Sequence, residues 1–476
     1  MTATGERTYD VVVLGAGSTG ENVADVVVKG GLSAVLVESE LVGGECSYWA
    51  CMPSKALLRG TEVLAEARAV DGAAQAVTGE QDVAATLARR DTFTHDWDDA
   101  SQVQWVEGAG IDLVRGSGRL DGERTVVVTD DEGRELRLTA RTAVAVCTGS
   151  VGKLPPVDGL ADVSPWGPRE ATSAKEAPGR LLVLGGGYVG CEMATAWQAL
   201  GAQVTLLQRG DRLLPRAEPQ AADAVTAALR AAGVEVVFGA DVTGARREGT
   251  EVVLTTAEQE YRGDEVLVAV GRAARTADLG LDTVGLEPGE YLPVDDTLQV
   301  EGRPWLYGVG DVNGRQLLTH MGKYQARQAA AAIVARARGE RVDGAAWAPT
   351  SATADHAATP SVVFTDPQVA SVGRTAAQAA DEGLPHRVVE YPIGSIAGAS
   401  LFADGYEGTA IAVVDTEREV LLGVTFVGRG VAELLHSATV AVVGEVPIAR
   451  LWHAVPSYPT MSEIWLRLLE TWRDGD

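Results

Sequence analysis

Apolar residues in this chain come in short runs that glycines punctuate. Asp10 to Leu14 is a mostly β-branched run, Gly15-Ala-Gly17-Ser-Thr-Gly20 interrupts it, and apolar residues then return at helical spacing through Lys29. A second run, Ser33 to Val37, ends at Glu38. The pattern predicts strand, glycine turn, helix, strand and terminal acid. It recurs with an offset of 170 residues, Gly185 against Gly15: strand Arg180 to Leu184, turn Gly185-Gly-Gly187-Tyr-Val-Gly190, helix Cys191 to Leu200, strand Gln203 to Leu207. Further strands are predicted over Thr142 to Gly149 and Glu265 to Gly271, followed by a long helix, Gln325 to Arg338. Alternating patterns then mark strands at Ser361 to Phe364, Arg387 to Tyr391 and Leu421 to Val427. Val70 to Gly116, with Trp97 and Trp105 among acids, reads as a surface excursion of mixed helix and loop.

Strand, glycines, helix, strand and acid is the order a dinucleotide fold demands. The glycines permit a tight turn and close backbone approach, the helix N-terminus faces a pyrophosphate, and the acid receives ribose hydroxyls. Two such units imply two nucleotides in one protein and hence electron transfer between them. The second unit lacks the acid. Gln208 stands there, followed by Arg209, Arg212 and Arg216. Losing a carboxylate and gaining guanidinium groups suits a 2′-phosphate, so NADPH is expected over NADH.

Composition narrows the partners. A chain of 476 residues with 46% hydrophobic content has room for about three domains with real cores. With 40 Lys and Arg against 66 Asp and Glu, the formal charge is −26, which makes nucleic acid and anionic membrane poor partners. No apolar run approaches membrane-span length, and the polar start, Met-Thr-Ala-Thr-Gly-Glu-Arg, does not read as a signal peptide. The expectation is a soluble cytoplasmic protein.

Of four cysteines, Cys147 and Cys191 lie isolated in apolar runs, whereas Cys46 and Cys51 share the segment Gly43-Gly-Glu-Cys-Ser-Tyr-Trp-Ala-Cys-Met-Pro-Ser-Lys55. Few cysteines argue for a reducing compartment, where a close pair is catalytic more often than structural. On an ideal helix, residues five apart are separated by about 7.5 Å. A disulfide allows roughly 4.4–6.8 Å between Cα atoms, so a bond here requires a bent segment. Strained, accessible disulfides are the ones that exchange. Pro53 suits the first turn of a helix, and that start together with Lys55 would favour thiolate at Cys51. The competing reading is half a zinc site, but no Cys-x-x-Cys or His-x-His cluster completes it, so no metal is expected.

The cysteine segment and the two glycine units resemble the class I pyridine nucleotide-disulfide oxidoreductases, flavoproteins that include dihydrolipoamide dehydrogenase, glutathione reductase and mercuric reductase. The resemblance covers nearly the whole chain. It implies an α/β fold of two Rossmann-like domains, for FAD (1–155 and 271–345) and NAD(P) (156–270), plus a C-terminal α+β dimerisation domain (346–476). It implies that Cys51 is the thiol against the flavin and Cys46 the interchange thiol, that Lys55 pairs with Glu192 beside the flavin N5, and that Tyr188 gates the nicotinamide pocket. Gly44, Thr148, Gly149 and Gly271 are placed at the cofactors, and Trp305 to Asp311 resembles the second flavin motif, in which Asp311 binds the ribityl chain. Leu318-Thr-His320-Met321 would run past the pyrimidine edge. Thr359 to Ala370 resembles the opening of the dimerisation domain, so a homodimer with shared active sites is implied.

The pattern breaks near the C-terminus. Glutathione and dihydrolipoamide enzymes carry His-Pro and then Glu there, and this chain reads Tyr458-Pro459-Thr-Met-Ser-Glu463. A phenol with a reference pKa near 10 is a poorer proton shuttle at neutral pH than an imidazole at about 6.5. It can still donate a hydrogen bond to a thiolate. His453 could substitute only if its loop folds back, and Tyr48 and Trp49 either narrow access to Cys46 or pack under the flavin. Tyrosine here resembles mercuric reductase, whose C-terminal cysteine pair has no counterpart in Trp472-Arg-Asp-Gly-Asp. The leading expectation is reduction of a small disulfide, or oxidation of a dithiol. The alternatives are mercuric or quinone reduction by the flavin, and a partner subunit of the dihydrolipoamide dehydrogenase type.

Overall fold

The computed structural model describes residues 5–475 and divides into two compact units. The first takes the chain up to Pro53, Asp91–Lys153 and Arg272–Asp355. Its sheet has the order β3 (Asp112–Arg115), β2 (Ala34–Glu38), β1 (Gly5–Leu14), β6 (Glu135–Val146), β5 (Thr125–Thr129), β4 (Ser117–Leu120), with Leu306–Gly308 also pairing with β6. The strands from β3 to β6 run parallel, while β5 and β4 are antiparallel. Both faces are covered, which is why β1 and β2 read as continuous apolar runs. One face buries Val11, Val13 and Leu36 against helix α1 (Ser18–Lys29) and the alanine-rich helix Thr319–Ala337. The other buries Val12, Leu14, Val35 and Val37 against Val126, Leu138 and Leu306.

The second unit takes Ser54–Arg90, Leu154–Gly271 and the described chain from His356. It holds a four-stranded parallel sheet, ordered Glu235–Phe238, Gln203–Gln208, Arg180–Leu184, Glu265–Val268, with the helix Tyr188–Ala199 on its apolar face. A five-stranded antiparallel sheet follows, ordered Pro360–Val363, Gln368–Gly373, Leu421–Gly428, Thr409–Asp415, His386–Pro392. Arg90 is wholly buried and donates to the carbonyls of Thr172 and Ala174, tying the Ser54–Arg90 segment to the start of the parallel sheet.

The predicted elements form with shifted ends. The first dinucleotide strand begins at Gly5, the second dinucleotide helix at Tyr188, and the long helix at Thr319, ahead of the predicted Gln325. That last shift puts Thr319 and His320 in a helical first turn. Among the described residues, no helix is long and apolar enough to cross a membrane.

Candidate functional site

The two glycine turns are the same structure at the 170-residue offset. A methyl group on Gly20 would sit 1.9 Å from the Gly15 carbonyl oxygen, and one on Gly190 would sit 1.9 Å from that of Gly185. At the first glycine of each turn (φ 95° and 111°), a methyl group would meet the carbonyl oxygens of Cys147 and Ala269. By contrast, nothing lies within 3.5 Å of a methyl group on Gly17 or Gly187. Each of those residues caps its helix without a side-chain hydrogen bond, leaving backbone N–H groups directed at open space. Bare helix N-termini with room in front suit phosphate.

The strand ends complete the comparison. Glu38 is buried, its Oε2 accepting from the Ala16 N–H at 2.7 Å and its Oε1 from the Glu40 N–H at 2.8 Å; burial raises its pKa. Gln208 occupies the equivalent place, and its Oε1 accepts from the Gly186 N–H at 2.9 Å. Gln208 therefore keeps the bond that locks the turn without the charge. Arg209 is exposed, and Arg212 is half-buried and donates to the Pro215 carbonyl at 2.8 Å.

The segment Gly43–Lys55 bends as a disulfide there requires. Helix α2 (Gly44–Tyr48) stops at Trp49 (φ −137°, ψ −1°), and helix α3 (Cys51–Arg68) starts at the second cysteine. Gly43 and Gly44 have positive φ, the Gly43 N–H donates to the Ala16 carbonyl at 2.8 Å, and a methyl group on Gly44 would lie 2.8 Å from the Gly17 Cα. Glycine here lets the cysteine segment dock on the first dinucleotide turn. Tyr48 is fully buried, with its ring 5.7 Å from that of Trp49, so it packs inside the unit. Trp97, read from sequence as part of a surface excursion, donates its indole N–H to the Tyr48 carbonyl at 3.1 Å.

Both cysteines are free thiols, and no group of residues among those described could hold a metal ion. The hydrogen bond to Cys51 pushes the Cys46 thiol far up, helped by burial and by the charge on Cys51; a hydrogen bond from Thr319 and the charge of Lys323 pull it down. Cys147 and Cys191 are buried and pushed up by burial, Cys191 to about 12, and neither joins a site.

Asp311 lies beyond the strand Leu306–Gly308, and its Oδ2 accepts from Ser150 Oγ at 2.5 Å. Arg272 Nε donates to the same Ser150 oxygen, also at 2.5 Å. Burial raises the Asp311 carboxyl. Gln325, buried in the long helix, holds the turn by accepting from the Gly310 N–H at 2.8 Å, a contact no local motif announces. Thr148 Oγ1 donates to the Arg275 carbonyl at 2.8 Å, and Gly149 faces open space. His320 is exposed. The bare helix start, the buried acid Glu38, the half-buried acid Asp311, and the unpartnered buried oxygens of Glu21 and Tyr48 fit a dinucleotide with a polar chain attached.

In the second unit, Lys55 Nζ lies 2.8 Å from Glu192 Oε2, while Glu192 Oε1 accepts from the Phe364 N–H at 3.0 Å. The ammonium sits 4.7 Å above the Phe364 ring. Tyr188 OH accepts from Ser361 Oγ at 3.0 Å, and Gly271 (φ 134°) ends the unit's parallel sheet region with open space beside it. Tyr458 is 77% exposed, and His453 is also exposed. Glu463 is buried, and its Oε2 accepts from the Gly398 N–H at 2.9 Å. Among the described residues, no hydrogen bond joins Glu463 to Tyr458.

Glu463 thus anchors the loop that carries Tyr458. A methyl group on Gly398 would lie 2.1 Å from the Thr460 carbonyl carbon and oxygen. Gly398→Ala is expected to displace that loop and to cost about 1–3 kcal/mol of stability, read as a lower midpoint in thermal unfolding. Glu463→Gln retains an acceptor oxygen and should cost less; equal losses would contradict the anchoring role.

These features define a flavin-dependent oxidoreductase with two dinucleotide turns and a cysteine pair. The profile of the pyridine nucleotide-disulphide oxidoreductase family matches residues 9–337, and the dimerisation domain of the same family matches residues 359–468. The chain belongs to the class I pyridine nucleotide-disulfide oxidoreductases, enzymes that bind FAD and a pyridine nucleotide, and its dimerisation domain supports a homodimer. It is 32% identical to dihydrolipoyl dehydrogenase 3 of Pseudomonas aeruginosa over 472 residues, covering 96% of each chain. It is 30% identical to mercuric reductase of Acidithiobacillus ferrooxidans over 458 residues, covering 95% of this chain and 80% of that one. In fold it resembles the flavoprotein disulfide reductase RclA from Escherichia coli, solved as a Cu(II) complex, with TM-score 0.83 and 23% identity over 98% of this chain and 99% of that one.

Proposed function

We propose that this protein is a homodimeric disulfide reductase in which electrons pass from NADPH through FAD to the Cys46–Cys51 pair and on to a small disulfide. The same route run backwards oxidises a dithiol. The observation that carries the reading is the cysteine pair at the break between α2 and α3, where the hydrogen bond to Cys51 pushes the Cys46 thiol up. Two electrons that break an S–S bond, with one proton taken up, leave a thiol beside a thiolate. Cys46 attacks the acceptor disulfide as its proton passes to Cys51, forming a mixed disulfide and releasing the first product thiolate. Cys51 gives up that proton and attacks Cys46 Sγ, the internal bond re-forms as the second product thiolate leaves, and that proton with one from solvent makes the two product thiols.

Bound FAD supplies the two-electron link between nicotinamide and sulfur. Glu38 and Asp311 are assigned to its ribose and ribityl hydroxyls, and the α1 N-terminus to its pyrophosphate. Lys55 with Glu192 is assigned to the flavin N5, Tyr188 to the nicotinamide gate, and Tyr458, across the dimer, to the thiol site as a hydrogen-bond donor. Residues 1–155 with 271–345, 156–270 and 346–476 are the domains of this reading, and a cytoplasmic location goes with it. The test is turnover of the purified holoprotein with NADPH against small disulfides, quinones and Hg(II). Disulfide reduction is expected. Reduction of quinones or Hg(II) alone, unchanged when both Cys46 and Cys51 become serine, contradicts it.

NADPH is favoured because Gln208 keeps the turn-locking bond of Glu38 without its charge, beside Arg209 and Arg212. Charge-assisted hydrogen bonds are worth about 1.5–3 kcal/mol each. Replacing Arg209 and Arg212 with alanine is expected to lower kcat/KM for NADPH on the order of 10–100-fold while leaving that for NADH nearly unchanged. Equal losses for both nucleotides would refute 2′-phosphate recognition.

A further inference from the structure

Thr319 opens the long helix, half-buried, with its Oγ1 3.2 Å from Cys51 Sγ. The same hydroxyl, with the charge of Lys323 one turn further along that helix, lowers the Cys46 thiol against the stronger upward push of Cys51 and burial. Glu21 on α1 feels Lys323 as well, its carboxyl held up to about 7 chiefly by burial, with Glu38 beyond it. Glu45 adjoins Cys46 and the exposed His320 adjoins Thr319 within the same unit.

A threonine hydroxyl has one hydrogen to donate and two lone pairs. Placed between two sulfurs, it can accept from a protonated thiol and donate to a thiolate at once. A thiolate at Cys51 also meets the starts of two helices, α3 and Thr319–Ala337, whose dipoles favour negative charge.

We propose that Thr319 is the positioning residue of the dithiol, its hydroxyl bridging both sulfurs and donating to whichever carries the charge. The inference rests on reading Cys46 and Cys51 as the redox pair. The proton leaves Cys46 Sγ and reaches Cys51 Sγ as the hydroxyl hydrogen bonds reverse direction, so no outside acid or base is needed for that step. No electrons move in it.

The test compares wild type with Thr319→Val, Thr319→Ala and Thr319→Ser. In holoprotein reduced anaerobically with excess dithiothreitol, the long-wavelength thiolate-to-flavin absorption is followed against pH. In reduced apoprotein, the pH dependence of iodoacetamide alkylation at each cysteine is followed by mass spectrometry. Loss of the hydroxyl is expected to move the thiolate inflection up by about one pH unit, a tenfold change in the ionisation constant, in both the valine and alanine variants. Serine is expected to restore it. An unmoved inflection in the valine and alanine variants, or an equal shift in the serine variant, overturns the proposal. If wild type gives no thiolate-to-flavin band, the functional reading falls, while the alkylation inflections alone still decide the role of Thr319.

Discussion

Cys46→Ser is expected to abolish disulfide turnover, a loss on the order of 10³-fold or more, while the purified protein keeps its flavin and a long-wavelength band from the Cys51 thiolate. The two sulfurs have unequal surroundings. Cys51 opens α3 and contacts Thr319, whereas the hydrogen bond to Cys51 and burial push the Cys46 thiol up. On the proposed function, removing Cys46 takes away the sulfur that meets substrate and leaves the other in place. The mirror variant, Cys51→Ser, should also lose turnover and should lose the band with it. Stopped-flow spectra and steady-state assays on both variants check this, and disulfide turnover retained in Cys46→Ser would refute the assignment.

The second large effect separates the two nucleotides. Methyl groups on Gly20 and Gly190 would each lie 1.9 Å from a backbone carbonyl oxygen, a clash that no side-chain rearrangement relieves. Gly20→Ala is expected to yield protein purified without flavin, because the first turn must open. Gly190→Ala should purify yellow and accept electrons from dithiothreitol through its cysteines, yet be reduced by NADPH at least about a hundredfold more slowly. Flavin content and the rate of NADPH-dependent flavin reduction measure both. Flavin lost equally from the two variants would contradict the division of labour between the turns.

These turns were legible in the sequence because each is a local object, its function written in consecutive residues. The offset of 170 residues holds down to single hydrogen bonds: Glu38 to the Ala16 N–H and Gln208 to the Gly186 N–H are the same contact. The cysteine pair and its bend were legible for the same reason, from spacing and Pro53. Lys55 with Glu192 came from resemblance, and their side chains lie 2.8 Å apart. What escaped was made by distant segments. Thr319 meets Cys51 across 268 positions, and Trp97 supports Tyr48 across 49, with no local pattern at either end. Gln325 sits in an alanine-rich run where a buried amide has no periodic signature. The carboxylate of Glu463 holds the Gly398 N–H across 65 positions, a contact that no local pattern announces.

The claim beneath all of this is that electrons leave the flavin through sulfur. Anaerobic titration of the oxidised holoprotein with NADPH, counting thiols at each addition, tests it most directly. The account predicts that the first two electrons produce the long-wavelength thiolate-to-flavin band and about two new thiols per subunit, with the flavin chromophore still oxidised, a state in which Cys51 holds the charge. Bleaching of the flavin by those first two electrons, with no thiol appearing, would contradict it.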